Sequence, residues 1–200
     1  MSDSLKIQRN KKLDEAMRIL TDGTFRKMTG GKVKAMSREQ AAAFLGNAIH
    51  ETGSPDLSNL DVVENGSGAG RGMMQYTGAR RNAYDRARPA NTVRDQLRYA
   101  AEEYAGKHDP APGQSLVGYT KALESAPPEM RKAVDHYLTQ YFRPADASAS
   151  RNARMNNAQQ IYQQYQPRTP QPKPKPQPKP RQPANPFFGM MQNLLRINPR

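Results

Sequence analysis

Apolar residues recur every three to four positions through most of the first 166 residues, the spacing of helices that bury one face. Over 12–20, Leu13, Met17 and Leu20 share such a face, and Thr21-Asp22-Gly23 ends it. The stretch that follows, to Met36, reads as a loop rich in glycine and lysine. Ser37 with Gln40 three positions on is a capping box, in which each side chain satisfies a backbone N–H at the start of a helix. The helix it opens, EQAAAFLGNAIH, turns Phe44, Leu45, Ala48 and Ile49 inward, while Ala41, Ala42 and Gly46 let other helices come close. Thr52-Gly53-Ser54-Pro55 stops it. Further helices are predicted over 92–104, 116–124, 128–141 and 150–165. No run alternates with the two-residue period of a strand and no segment repeats another, so the predicted fold class is mainly α.

The pattern breaks after Gln166. QPRTPQPKPKPQPKPRQPANP is proline, glutamine and cation with no acid, a composition that cannot bury a core and favours an extended, polyproline-like tether. From 167 to 183, at about 3.1 Å per residue, such a tether spans roughly 50 Å. Beyond it, Asn185 suits an N-cap and Pro186 a first helical position, and Phe187, Met190, Met191, Leu194 and Leu195 share one face. The organisation predicted is a domain over 1–166, a Pro/Lys-rich linker over 167–185 and a short amphipathic docking helix over 186–200. A frayed terminus fits the last segment too.

Charge adds a class of partner. The 200 residues carry 31 Lys and Arg against 18 Asp and Glu, a formal net charge of +13. Seven of the cations fall in the acid-free tail: Arg168, Lys173, Lys175, Lys179, Arg181, Arg196 and Arg200. A chain this basic suits a polyanionic neighbour, whether nucleic acid, an anionic envelope surface or an acidic wall. No aromatic is interleaved among the tether's prolines, so base stacking is not supported. With no cysteine and only three, widely spaced histidines, a disulfide is excluded and a zinc site is not expected. No stretch approaches the roughly 20 apolar residues of a membrane span, and MSDSLKIQRNKKLDEA has no apolar signal core.

The candidate chemistry lies between Ile49 and Gly78. Glu51 stands at the C-terminal end of the alanine-rich helix, where unpaired carbonyls and the negative end of the macrodipole disfavour a second negative charge. Partial burial acts in the same direction, so the carboxyl is expected to hold its proton longer than usual. A protonated carboxyl near neutral pH is what a general acid needs to protonate a leaving oxygen, and glycosidic bonds depend heavily on one such group. A solvated helix-end acid fits the same spacing. Gly66, Gly68, Gly70 and Gly72 allow backbone close to a ligand, Gln75 offers both donor and acceptor, and Tyr76 offers a flat face for a sugar ring. Asp56, Asp61 and Glu64 are the acids of the intervening loop, and Glu64, in its ENG turn, is the preferred second carboxylate. Arg80 and Arg81 read mainly as partners of Asp85 and Asp95 across helix turns.

These segments carry a resemblance. GNAIHETGSP looks like the GN…ESG…P segment of the phage tail-associated lysozymes and of the lytic transglycosylases of the lysozyme superfamily. GRGMMQYTGARRNAYDRA resembles the G-x-x-Q-W-T-G-x-R-R segment of those phage proteins, and YFRPADASASRNARMNNAQQIY is similar to their closing helix. Thr52 stands where serine is usual, and Tyr76 where tryptophan is frequent. The resemblance implies a lysozyme-like helical domain with Glu51 as the catalytic acid. It implies that Gly72 and Gln75 line a glycan groove and that Met73, Met74 and Tyr76 form its floor and wall; Glu64 and Tyr141 are taken as further substrate-binding candidates. It also implies a peptidoglycan-degrading enzyme of the virion, cutting the β-1,4 bond between N-acetylmuramic acid and N-acetylglucosamine and reaching other virion proteins through its tail. No metal or organic cofactor is implied. Two alternatives stay open: an inactive lysozyme-like assembly protein whose basic tail binds DNA, and an endolysin acting at host lysis.

Overall fold

Helix packing, with one long irregular loop, builds the structure, a computed structural model that describes residues 5–108, 117–144 and 147–166. These belong to the unit Met1–Gln166; the predicted linker over 167–185 and docking helix over 186–200 lie outside the described residues, as does position 116. The helices are α1 (Lys11–Thr21), α2 (Thr24–Met28), α3 (Arg38–Thr52), α4 (Gly78–Ala87), α5 (Val93–Tyr104), α6 (Val117–Glu124), α7 (Met130–His136) and α8 (Ala147–Tyr165), with a π-helical turn, Tyr137–Phe142, continuing α7. No strand forms among the described residues.

The middle of α3 is the centre of the domain. Every residue from 41 to 49 is buried, which explains why, Asn47 apart, its sequence is apolar or small all round rather than along one stripe. Ser37 and Gln40 form the capping box, and Gly53, at φ 61°, closes the other end in the left-handed conformation. Helix α8 crosses α3 at Gly46 so closely that a Cβ there would lie 2.7 Å from the Ala158 nitrogen. Gly46→Ala is therefore expected to destabilise the domain by about 1–3 kcal/mol, because forcing two helices apart outweighs what alanine adds to helix propensity. A urea midpoint equal to or above that of the wild type would contradict this packing.

Residues 5–10 run along α8 and pair with it through side chains. Gln160 accepts from the Ile7 N–H at 3.0 Å and donates to the Leu5 carbonyl, and Gln164 donates to the Ile7 carbonyl. Asn10 then caps α1, accepting from the backbone of Lys12 and Leu13.

Two helices occur where the apolar spacing gives no sign of one. Helix α2 has five residues and a single buried anchor, Phe25, too little for a period to show. Helix α4 buries Arg80, Ala83 and Tyr84, so its inward face contains a cation. The segment predicted as one helix over 128–141 divides at Tyr137, where the chain widens into the π turn and the Arg143 N–H reaches the Leu138 carbonyl at 2.9 Å. That turn buries Tyr137, Leu138, Tyr141 and Phe142, and packs Tyr137, Tyr141 and Phe142 around Phe44 of α3.

Candidate active site

The long loop between α3 and α4 folds back on itself twice. Glu64 donates its N–H to the Gly70 carbonyl, Gly72 donates to Val62, and Arg71 and Tyr76 exchange both backbone hydrogen bonds at 3.1 and 2.8 Å. Gly72, at φ 81°, has a second reason to lack a side chain: a Cβ would lie 2.6 Å from the Tyr84 ring. Gln75 also adopts a positive φ, 48°, and its Nε2 donates to the carbonyls of Val62 and Gly72, joining two limbs of the loop. Its Oε1 is buried and takes no hydrogen bond from the protein. The base of the loop is fixed by Arg71, which holds Asp61 with two nitrogens and Asp85 with a third. Tyr84 donates to Asp61, and Gln96, 1% exposed on α5, donates to the Tyr84 hydroxyl and accepts from the Met73 N–H.

Glu51 projects from the last turn of α3 with its side chain 15% exposed. Its Oε1 accepts from Arg154 Nη2 at 2.6 Å, and Arg154, on α8, is itself only 2% exposed. Burial raises the pKa of Glu51 above the ordinary glutamate range, the Arg154 guanidinium opposes that rise, and the charge of Glu64 adds to it. The direction is the one expected from the sequence, and burial is its main cause. Arg154 was not foreseen. Burial lowers its own pKa, against the pull of Glu51. His50, adjacent on α3, is pushed down to about 4 by burial and by the Arg154 charge, so it is neutral at physiological pH.

The remaining sequence-derived candidates divide by depth. Gly72, Met74, Tyr76 and Tyr141 are buried; Met74 and Tyr76 are each 1% exposed and Tyr141 0%, so their side chains do not form part of the open surface. Tyr76 packs on Tyr84 and Tyr99 rather than presenting a free face. Gln75 is half-buried, and Glu64 is exposed, its Oε2 accepting from the Ser67 hydroxyl and the Gly70 N–H. Asp56 and Asp61 have structural partners, Asp56 in the turn with Ser54 and Ser58, Asp61 with Arg71. Arg81 pairs with Asp85 as expected, whereas Arg80 reaches Glu103 on α5 and Asp95 pairs with Arg98. Among the described residues no group of three His, Cys, Asp or Glu gathers to hold a metal.

Sequence reading missed Arg154, although a signal was present. Ser150, Arg154, Asn157, Ala158 and Ile161 share one helical face, and of these Arg154, Asn157, Ala158 and Ile161 are buried. An arginine on a face otherwise made of small and apolar residues requires a buried partner.

Residues 30–165 match the family model described as phage tail lysozyme. No curated protein matches the chain.

Proposed function

We propose that this chain, which belongs to the phage tail lysozyme family, cuts the β-1,4 bond between N-acetylmuramic acid and N-acetylglucosamine in peptidoglycan with Glu51 as general acid. The observation that carries this reading is a carboxyl at the end of a buried helix, mostly withdrawn from water, whose proton affinity is raised by that burial. Such a group delivers its proton to the glycosidic oxygen as the bond to the anomeric carbon breaks, and the sugar develops positive charge. The glycan lies against the exposed side of the loop, where Val63 is 45% exposed beside Glu64. Met74, Tyr76 and Tyr141 support that surface from below.

Glu64 is the acid whose charge reaches Glu51, yet it is exposed and already engaged by Ser67 and Gly70. A carboxylate so placed is a weak candidate to activate water, which leaves the muramic acid's own 6-hydroxyl as the nucleophile. Digestion of purified sacculi is therefore expected to release fragments with a 1,6-anhydromuramic end, lighter by one water than a reducing end. Mass spectrometry of the fragments decides the point. Reducing muramic ends would overturn the internal attack, and a failure to release any saccharide would overturn the enzyme reading. In a virion the acid-free tail after Gln166 serves as the attachment to the particle, with DNA or an anionic envelope surface as its electrostatic alternatives.

A further inference from the structure

We infer that Arg154 is a positioning residue for this reaction: it fixes the rotamer of Glu51, directs the transferable proton to one carboxyl oxygen, and sets the pH at which that proton is lost. The inference rests on the reading of Glu51 as the general acid. Its basis is geometric. The guanidinium is held on every side: Nε donates to Ser150 Oγ at 2.9 Å, Nη1 donates to Asn47 Oδ1 at 3.1 Å, and Nη2 donates to Glu51 Oε1 at 2.6 Å. Asn47 is fixed in turn, donating to the carbonyls of Ala43 and Val134. The Phe142 ring of the π turn lies 6.0 Å away. Helices α3, α7 and α8 thus converge on one buried cation, and a surface ion pair needs no such framework.

The hydrogen-bond inventory then assigns the proton. Arginine donates and never accepts, so the oxygen that receives Nη2 cannot also carry a proton directed at it. The unprotonated oxygen of a carboxyl is the better acceptor, so the proton of Glu51 is favoured on Oε2, the oxygen that Nη2 does not engage, where it is available for transfer. The charge acts separately: a cation at this distance favours the ionised carboxyl, in opposition to burial. The other charged or titratable groups near Glu51 are Glu64 from the loop, which favours the protonated form, and His50 on α3, which is neutral. Arg154 therefore prevents burial from trapping the proton so firmly that the acid cannot release it and regenerate.

The test compares pH profiles of kcat and kcat/KM on soluble peptidoglycan fragments for the wild type, Arg154→Met, Arg154→Lys and Glu51→Gln. Arg154→Met is expected to shift the alkaline limb to higher pH, because the acid loses its opposing cation and keeps its proton longer. It should also lower kcat about 10–100-fold through misorientation, with KM little changed, since Arg154 is too deep to touch the glycan. Arg154→Lys keeps the charge, so its limb should stay near the wild-type position. A single ammonium cannot serve Ser150, Asn47 and Glu51 together, so kcat should still fall. An unmoved limb in a folded Arg154→Met protein overturns the inference. If that variant does not fold, a wild-type kcat in Arg154→Lys overturns it instead. Full activity in Glu51→Gln would refute the underlying reading, and the role of Arg154 with it, whereas an inactive Glu51→Gln beside an unmoved limb in Arg154→Met refutes the role of Arg154 alone.

Discussion

Glu51→Gln should fold as the wild type does and lose at least a hundredfold of its rate of wall degradation. The amide keeps the shape of the side chain and retains Oε1 as an acceptor for Arg154 Nη2, so the contact between α3 and α8 survives. It removes the acidic proton. General acid catalysis contributes about 10²–10⁴-fold, which sets the size of the loss. Release of soluble muropeptides from sacculi measures the rate, and circular dichroism and Tm verify the fold. A loss below about tenfold would place the chemistry elsewhere. The wild-type rate should also fall as pH rises, since the raised pKa of Glu51 still marks the point above which the acid is spent. The same shift affects stability. A carboxyl whose folded pKa exceeds its unfolded value contributes stability below the unfolded pKa and loses it as pH rises through the folded one.

Arg80→Met should cost about 3–5 kcal/mol of stability and lower Tm by roughly 6–20 °C at the 2–4 °C per kcal/mol typical of domains this size. Arg80 grips Glu103 with two hydrogen bonds of 2.7 and 2.8 Å, and the two side chains are 8% and 1% exposed. The guanidinium lies between the rings of Tyr76 and Tyr141, at 4.7 and 5.0 Å, and Nη1 donates to the Tyr141 carbonyl in the π turn. Methionine fills much of the same volume but leaves a buried carboxylate with no cation, and that orphaned charge supplies most of the cost. Adding Glu103→Leu should therefore recover most of the loss, since a buried pair exchanged for apolar side chains is often neutral. The double-mutant cycle is the measurement; a double variant as unstable as Arg80→Met would show that the pair has a role beyond cancelling its own charges. Because the π turn also carries Phe142, beside Arg154, the single variant should lose activity near its lowered melting range before it unfolds.

Much of the fold can be read from the chain because local rules and tertiary packing agree there. The capping box at Ser37, the stop at Gly53 and the apolar run between them specify α3 without reference to any other segment. Glu51 as a helix-end acid follows from the same local reading. Disagreement begins wherever an inward face includes a polar group. Helix α4 gave no periodic signal because Arg80 occupies a core position, and only Glu103, twenty-three residues away, makes that position habitable. The loop glycines mark a close approach, but the sequence does not say that the object approached at Gly72 is Tyr84 rather than a sugar. Likewise, the aromatic character of Tyr76 and Tyr141 suited a glycan surface, whereas both are buried.

By itself, then, the sequence determined the helical class and the place of Glu51 at a helix end, since each depends on periodicity or capping within a few turns of chain. Only the tertiary structure decided what surrounds that acid. Arg154 lies 103 residues from Glu51, and their 2.6 Å contact exists because Gly46 and Ala158 allow two helices to meet without side chains between them. Burial and opposite charge compete at Glu51 through space, and a competition between residues so distant in the chain has no local signature.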